Sequence, residues 1–192
     1  NWGYYDSKNG WCAEKTDGWN SNKFQVRFDG SEDFELEWNF KNYSTGTTAD
    51  AQFITEVYSN VSGNIGGTFD ENWSKGGATL RPDWCGWGDW YSEEKTETWG
   101  TVSAKYNDNV HDFIDQSIVH IVVKYNSSTG TINYSASINH IGTEDVVNVT
   151  HTLHVTNSYK GAIVTSLGCN WAKLTNVTCK VNSGKLMSSS TL

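Results

Sequence analysis

The sequence predicts an all-β protein, an antiparallel β-sandwich of the jelly-roll kind with about ten strands. Short segments in which apolar and polar residues alternate recur along the chain, and turn-forming residues separate them every eight to twelve residues. Only residues 107–116 show a faint helical pattern, enough for one short turn. Alternation at period two with frequent turns is typical of strands that bury one face.

The clearest alternation covers residues 23–41. Phe24 belongs to one alternating run and Phe34 opens a second, with an Asp-Gly-Ser turn at 29–31 between the two. Alternation over seven or eight residues predicts a half-buried strand pair. Trp38 occupies an apolar position of the second run, so we expect it in the core.

The remaining elements follow from the same signals. Predicted strands cover residues 51–58, 96–104, 118–125, 131–138, 146–156, 162–167 and 174–181, and the third and fourth of these flank a hairpin loop. Residues 1–22 show no period and predict an irregular leader with at most one short strand. The aromatic residues of this leader form a second candidate surface patch: Trp2, Tyr4, Tyr5, Trp11 and Trp19.

Length and charge limit the organisation and the partners of the chain. At 192 residues it is long enough for one core, so we expect one domain spanning residues 1–192. No run of 18 apolar residues is present and the first residue is Asn1, which indicates a mature protein or an excised module without a membrane span. The formal net charge of -8, from 22 acidic and 14 basic residues, disfavours nucleic acid and anionic membranes as partners.

The four cysteines lack the spacing of a metal site such as Cys-x-x-Cys. In a secreted protein they allow two disulfides, and we favour Cys169 with Cys179 across a hairpin and Cys12 with Cys85 as a long-range tie. The alternative is that the cysteines are reduced and buried.

Residues 81–91, the tryptophan turn, form the densest aromatic cluster of the chain. They include the only proline, three tryptophans and Tyr91, and Trp73 is close by in sequence. Because proline and glycine interrupt this stretch, it predicts a loop or a strand edge rather than a helix. Large rings on a surface loop suit a planar, partly apolar ligand, and a sugar ring with its apolar C–H face is such a ligand. The alternative is that these rings fold back as a lid over the core.

An enzyme that cleaves glycosidic bonds ordinarily needs two carboxylates across the bond. Glu35 and Glu37 lie two residues apart on one strand face, but residues 35–40 depart from a Glu-x-Asp-x-x-Glu pattern at the third and sixth positions. No acidic residue follows Asp145, so the last strands cannot supply a partner carboxylate. The five histidines show no metal or nucleophile motif, and we expect no catalytic residue and no cofactor. A structural Ca²⁺ at a loop such as residues 29–33 stays open.

Two segments resemble the carbohydrate-binding modules of secreted bacterial enzymes that degrade plant polysaccharides. Residues 80–88 are similar to an Arg-x-Asp-x-x-Gly-Trp-Gly turn of such modules, and residues 118–125 with the hairpin at 130–132 resemble paired strands of concanavalin-like sandwiches. The resemblance implies an extracellular, non-catalytic module that holds the catalytic domain of its own polypeptide on neutral polysaccharide of the β-glucan, xyloglucan or cellulose type. The alternatives are a small jelly-roll glycoside hydrolase and a cell-surface lectin or adhesin.

The expected binding site centres on the tryptophan turn and the loop before it. Its rings and polar neighbours are Asn72, Trp73, Arg81, Asp83, Trp84, Trp87, Trp90 and Tyr91. Four further polar residues could line an open sheet face: Gln25, Glu35, Glu37 and Asn39. Asn, Ser and Thr are abundant, and their side chains both donate and accept hydrogen bonds, which suits neutral polyol ligands.

Overall fold

The structure is a computed structural model, and it describes residues 3–19, 24–45, 52–60, 77–82, 84–86, 95–97, 110–155 and 161–187. Within these ranges the chain forms twelve strands and one short helix. The elements are β1 (Tyr4–Asp6), β2 (Gly10–Trp19), β3 (Phe24–Asp29), β4 (Phe34–Ser44), β5 (Gln52–Asn60), β6 (Gly77–Arg81), β7 (Trp84–Gly86), β8 (Lys95–Glu97), α1 (Val110–Ile114), β9 (Ser117–Asn126), β10 (Thr131–His140), β11 (Val146–His154) and β12 (Ala162–Ser183). No helix in these ranges has the length and apolarity needed to cross a membrane.

The last strand, β12, joins two sheets. Its first part, residues 162–170, pairs with β3 on one side and with β5 on the other. Its second part, residues 172–183, pairs with β2 and β4. The register shifts between the two parts at Trp171, whose φ of 50° bends the strand. A strand that passes from one sheet to the other through a bend is a common corner of β-sandwiches.

All strand pairs in the described ranges are antiparallel. The first sheet runs β7-β6-β5-β12-β3, and the second runs β2-β12-β4-β9-β10-β11-β8, with β1 paired to β2. The two sheets face each other, because rings of β3 and β5 meet rings of β4: the centroids of Phe28 and Phe34 are 4.2 Å apart and those of Phe40 and Phe53 are 5.2 Å apart. The predicted all-β antiparallel sandwich is therefore confirmed.

Trp38 is fully buried in this core, as predicted, and its ring lies 6.3 Å from that of Phe24. The hairpin of β9 and β10 and the short helix α1 are confirmed as well. Strand β8 overlaps the start of the predicted strand 96–104, most of which lies outside the described residues.

The prediction that residues 23–41 form a strand pair is wrong in its pairing. Strands β3 and β4 exist, but β3 is hydrogen-bonded to β12 in the first sheet, whereas β4 belongs to the second sheet. Strand β3 is also not half-buried, since Gln25 and Arg27 on its other face are buried too. The two alternating runs contact each other through their side chains across the core rather than through backbone hydrogen bonds.

The predicted irregular leader is also wrong, because β1 and β2 form a hairpin there. At the other end of the chain, the two strands predicted at 162–167 and 174–181 are parts of the single strand β12.

Gly184, just beyond β12, is packed directly against the aromatic core. Its φ is 119°, and a Cβ at this position would lie 2.6 Å from the Cβ of Phe34 and 2.9 Å from the ring of Phe28. We expect Gly184→Ala to lower the free energy of unfolding by about 2 kcal/mol, since both backbone strain and overpacking oppose the substitution. Chemical denaturation measures this loss. Gly142 is the matched control: its φ is 82° but a Cβ there would contact nothing within 4 Å, so equal losses at the two positions would contradict the steric argument.

Candidate functional site

The tryptophan turn begins as a tight hairpin at the edge of the first sheet. Arg81 of β6 pairs with Trp84 of β7, so residues 82–83 form the connection, and Pro82 is buried. The Nε2 of His151, on β11, is hydrogen-bonded to the Arg81 carbonyl oxygen at 3.1 Å. The structure thus places two predicted site residues, Arg81 and the backbone of Trp84, at a sheet edge, as the Pro and Gly content indicates. The other predicted site residues lie outside the described residues: Asn72, Trp73, Asp83, Trp87, Trp90 and Tyr91.

Next to this hairpin, the outer face of the first sheet carries a row of polar side chains. Gln25 pairs with Ser166, Ser166 with Glu56, and Glu56 with Thr79, so the row crosses four strands. All four side chains are buried. The amide of Gln25 donates a hydrogen bond of 2.9 Å to the hydroxyl of Tyr58, and burial, followed by the nearby Glu56, raises the pKa of that phenol.

Several polar atoms of this face have no hydrogen-bond partner. They are both amide atoms of Gln52, the Oγ of Ser166 and the Oδ1 of Asn170, which is the cross-strand partner of Gln52. Unpaired buried polar groups carry a desolvation penalty of about 1 to 3 kcal/mol each. These unpaired polar atoms therefore oppose the packing of this face. Because its polar side chains are buried, the face is not accessible to a polymer.

The outer face of the second sheet holds Glu35 and Glu37. The amide nitrogen of Asn182 donates to both carboxylates, at 2.6 Å and 2.9 Å, and His120 contacts Glu37 at 2.8 Å. The Asn182 hydrogen bond, followed by that of His120, lowers the pKa of Glu37. A glycosidase acid needs a raised pKa and a cleft. This half-buried carboxylate pair, in which the pKa of Glu37 is lowered, therefore does not suit glycoside hydrolysis.

The prediction that four polar residues line one open sheet face is wrong for Gln25. Gln25 lies on the first sheet, whereas Glu35, Glu37 and Asn39 lie on the outer face of the second. Neither predicted disulfide forms: Cys12, Cys169 and Cys179 carry thiols. Cys169 and Cys179 lie ten residues apart on one extended strand, with no hairpin to bring them together, and the Cys169 thiol donates to the Ala172 carbonyl instead.

Residues 29–33 do not converge on a cation. Asp29 accepts hydrogen bonds from the backbone and hydroxyl of Ser31, while Asp33 accepts from the backbone and hydroxyl of Ser127. These bonds lower the pKa of both carboxyls. No group of three or more His, Cys, Asp or Glu side chains that could hold a metal ion lies in the described residues. We therefore identify no Ca²⁺ site among these side chains.

The accessible aromatic surface of the described chain is the hairpin of β1 and β2. Among the residues whose side chains the structure describes, three large aromatic side chains are exposed, Tyr4 (37%), Tyr5 (65%) and Trp11 (55%), and all three belong to this hairpin. We call these three residues the aromatic hairpin. They are part of the predicted second surface patch, although the sequence did not reveal the hairpin that brings them together.

The turn of this hairpin is fixed by local hydrogen bonds. The Oδ1 of Asp6 accepts hydrogen bonds from the backbone of Lys8 at 2.7 Å and of Asn9 at 3.0 Å, and Gly10 closes the turn with a φ of 72°. The backbone of Asn176 donates to the Asn9 carbonyl at 2.9 Å, which ties the turn to β12. An Asp at the start of a short loop and a Gly in the left-handed conformation at its end is a hairpin signal that the sequence contains.

The rings of the aromatic hairpin are held in a defined arrangement. Tyr5 and Trp11 are cross-strand partners whose ring centroids lie 5.7 Å apart with an interplanar angle of 74°. The hydroxyl of Tyr4 donates to the carboxylate of Glu14 at 3.1 Å. Desolvation, followed by this bond, raises the pKa of Tyr4 to about 12. Tyr5 and Trp11 therefore form one surface of the hairpin, while Tyr4 and Glu14 lie on its other face.

A cavity of about 340 Å³ opens beside Trp11. We call it the hairpin cavity, and its lining consists of Trp11, Phe24, Trp38, Val177, Thr178 and Cys179. Volumes of this size are at the lower end of the range for small-molecule sites in proteins. The aromatic hairpin and the hairpin cavity share Trp11, so a ligand on the indole can reach into the cavity.

Comparisons with known proteins give a structural likeness only. No protein-family model matches the chain, and no curated protein matches it in sequence. Among solved structures, lectin I-B4 from Griffonia simplicifolia is 10% identical with a TM-score of 0.45, over 94% of this chain and 90% of the lectin. The lectin from Bauhinia forficata in complex with GalNAc is 10% identical with a TM-score of 0.43, over 94% and 85% of the two chains. These values are too low to transfer a ligand or a site.

Proposed function

We propose that this chain is a carbohydrate-binding protein and that the aromatic hairpin is its accessible ligand surface. The observation that carries this proposal is the placement of the exposed rings, since the three large aromatic side chains seen exposed, among those whose side chains the structure describes, lie on one hairpin. Tyr5 and Trp11 lie together on one face of this hairpin, and exposed rings gathered in this way are costly to leave in water and mark sites of interaction. A pyranose has an apolar face that covers an indole and hydroxyls that remain hydrated at its edge.

The surroundings of the rings suit a neutral sugar. Glu14 and Lys173 are cross-strand partners on the face of the hairpin that carries Tyr4, and their opposite charges leave this part of the hairpin without a strong net field. Two stacking rings at roughly 1 kcal/mol each give binding weaker than millimolar by themselves. Hydrogen bonds at the rim or repeated contacts along a polymer have to supply the rest, which favours a polysaccharide over a single monosaccharide.

The finer proposal is a non-catalytic, extracellular module that holds a glycanase of the same polypeptide on a neutral plant polysaccharide of the β-glucan, xyloglucan or cellulose type. The net charge of -8 supports a neutral polymer, because an anionic one would be repelled. The tryptophan turn remains the contact surface that the sequence favours most, and its described residues, 81, 82 and 84–86, lie at the edge of the first sheet. Two aromatic surfaces would allow the protein to hold one polymer chain at two points.

Affinity electrophoresis tests the proposal with the purified protein. We expect a gel containing β-glucan, xyloglucan, xylan, mannan or starch to slow the protein in at least one case, relative to a gel without polysaccharide. Migration that no polysaccharide of this panel changes would contradict plant-polysaccharide binding. A glycan array then separates the lectin or adhesin alternative, which predicts binding to animal or microbial glycans instead.

A further inference from the structure

The hairpin cavity differs in chemistry from the rim around the aromatic hairpin. Its described lining is built from aromatic and aliphatic groups of Trp11, Phe24, Trp38 and Val177, and it includes no charged side chain. Phe24, Trp38 and Val177 are otherwise buried in the core. A charged group that entered this space would lose its hydration without gaining a partner. A hydroxyl group would leave water for mostly apolar walls.

The polar side-chain groups that the lining does contain can each donate a hydrogen bond, and the Thr178 hydroxyl can also accept one. Thr178 is an exposed residue of this lining. Burial raises the pKa of Cys179 to about 12, so its sulfur carries a proton at neutral pH. The buried indole N–H of Trp38 has no acceptor. What the lining lacks is a carboxylate, amide or carbonyl oxygen from a side chain.

We infer that the hairpin cavity receives the acetyl group of an acetylated pyranose that stacks on Trp11. An acetyl group combines a methyl, which suits the walls formed by Phe24 and Val177, with a carbonyl oxygen that accepts a hydrogen bond from a donor such as Thr178. The inference rests on the proposed carbohydrate binding and specifies its ligand: a neutral sugar carrying an O-acetyl or N-acetyl substituent. The two kinds of substituent share this chemistry, and separate ligands distinguish them.

Two pairs of neutral ligands test the inference by isothermal titration calorimetry. Chitohexaose and cellohexaose have the same β-1,4 backbone and differ only in the acetamido group, while acetylated xylan and the same xylan after alkaline deacetylation differ only in O-acetyl groups. We expect the acetylated member of at least one pair to bind at least tenfold more tightly. The pair that shows the preference identifies the substituent.

A variant that blocks the cavity provides the second measurement. Thr178→Phe places a ring at the mouth of the cavity from an exposed position of β12, and we expect it to bring the affinity ratio close to one. Ser135→Phe, at an exposed position of β10, is the matched control and should keep the full ratio.

The results separate this inference from the proposed function. Equal binding of both members of each pair by the unaltered protein would overturn the acetyl inference and leave carbohydrate binding intact. A preference for the acetylated ligand that survives Thr178→Phe would also overturn the acetyl inference, since the acetyl group would then bind outside the cavity. Failure to bind either pair, together with unaltered migration in every polysaccharide gel, would overturn both proposals.

Discussion

Replacing Trp11 with alanine is expected to weaken binding at least tenfold to the polysaccharide that slows the protein in affinity electrophoresis. The substitution removes an indole that is 55% exposed, one wall of the hairpin cavity and the partner of the Tyr5 ring. A lost stacking contact contributes about 0.5 to 1.5 kcal/mol beyond the apolar area that it buries, and 1.4 kcal/mol corresponds to a factor of ten. Affinity electrophoresis at a series of polysaccharide concentrations measures the change.

The fold should tolerate this substitution. The Trp11 side chain is more than half exposed, so we expect the melting temperature to fall by no more than a few degrees. Ile118→Ala is the matched control, because Ile118 is similarly exposed but lies on β9, in another part of the second sheet. Full retention by the Trp11 variant, or equal loss by both variants, would show that the hairpin does not carry the binding.

Phe34→Ala should have the opposite profile, a large loss of stability. The Phe34 ring is buried between the two sheets, stacked on Phe28 and 5.3 Å from the ring of Tyr125. Truncating a buried phenylalanine costs about 3 to 5 kcal/mol, through lost burial and the cavity left behind. For a chain of this length that corresponds to a fall in the melting temperature of roughly 6 to 20 °C.

Denaturant unfolding measures this second effect. Phe34→Leu is its control, since a smaller change of volume should recover most of the stability. A loss below about 1 kcal/mol for Phe34→Ala would mean that β3 and β4 do not pack face to face at this point. The stacked rings would then not join the two sheets.

Strand β9, which the sequence predicts correctly, has one face in water, and its buried residues alternate with more exposed ones along its length. Strand β5 is also predicted correctly, although residues 52–59 are buried on both faces. Strand β3 is buried on both faces, and its polar residues Gln25 and Arg27 imitate the exposed positions of a half-buried strand. Alternation alone cannot distinguish a solvated polar face from a buried one.

Pairing and continuity were the harder part of the fold to predict. The turn at residues 29–31 indicates a hairpin, yet the chain uses it to pass from one sheet to the other. Strand β12 continues through Trp171, where the positive φ resets the alternation and makes one strand look like two. Both outcomes depend on contacts between residues that are distant in sequence.

The candidate site was partly within reach of the sequence. The aromatic residues of the first 22 positions are visible as a patch, and the Asp6 and Gly10 turn could have revealed the hairpin that aligns Tyr5 with Trp11. The cavity could not be predicted, because its lining comes from β2, β3, β4 and β12. Because the aromatic residues are densest in the tryptophan turn, the sequence favoured that turn as the binding site. The structure describes the part of the turn that forms the hairpin of β6 and β7 at the sheet edge.

A ligand titration followed by the indole N–H signals in the NMR spectrum tests the central claim most directly. The signal of Trp11, assigned with the Trp11→Phe variant, is expected to shift in a saturable manner as a retaining polysaccharide or its oligosaccharide is added. The claim also predicts that the signal shifts with the same midpoint as the calorimetric binding curve. A Trp11 signal that stays unchanged while the ligand binds would contradict the assignment of the carbohydrate surface to the aromatic hairpin.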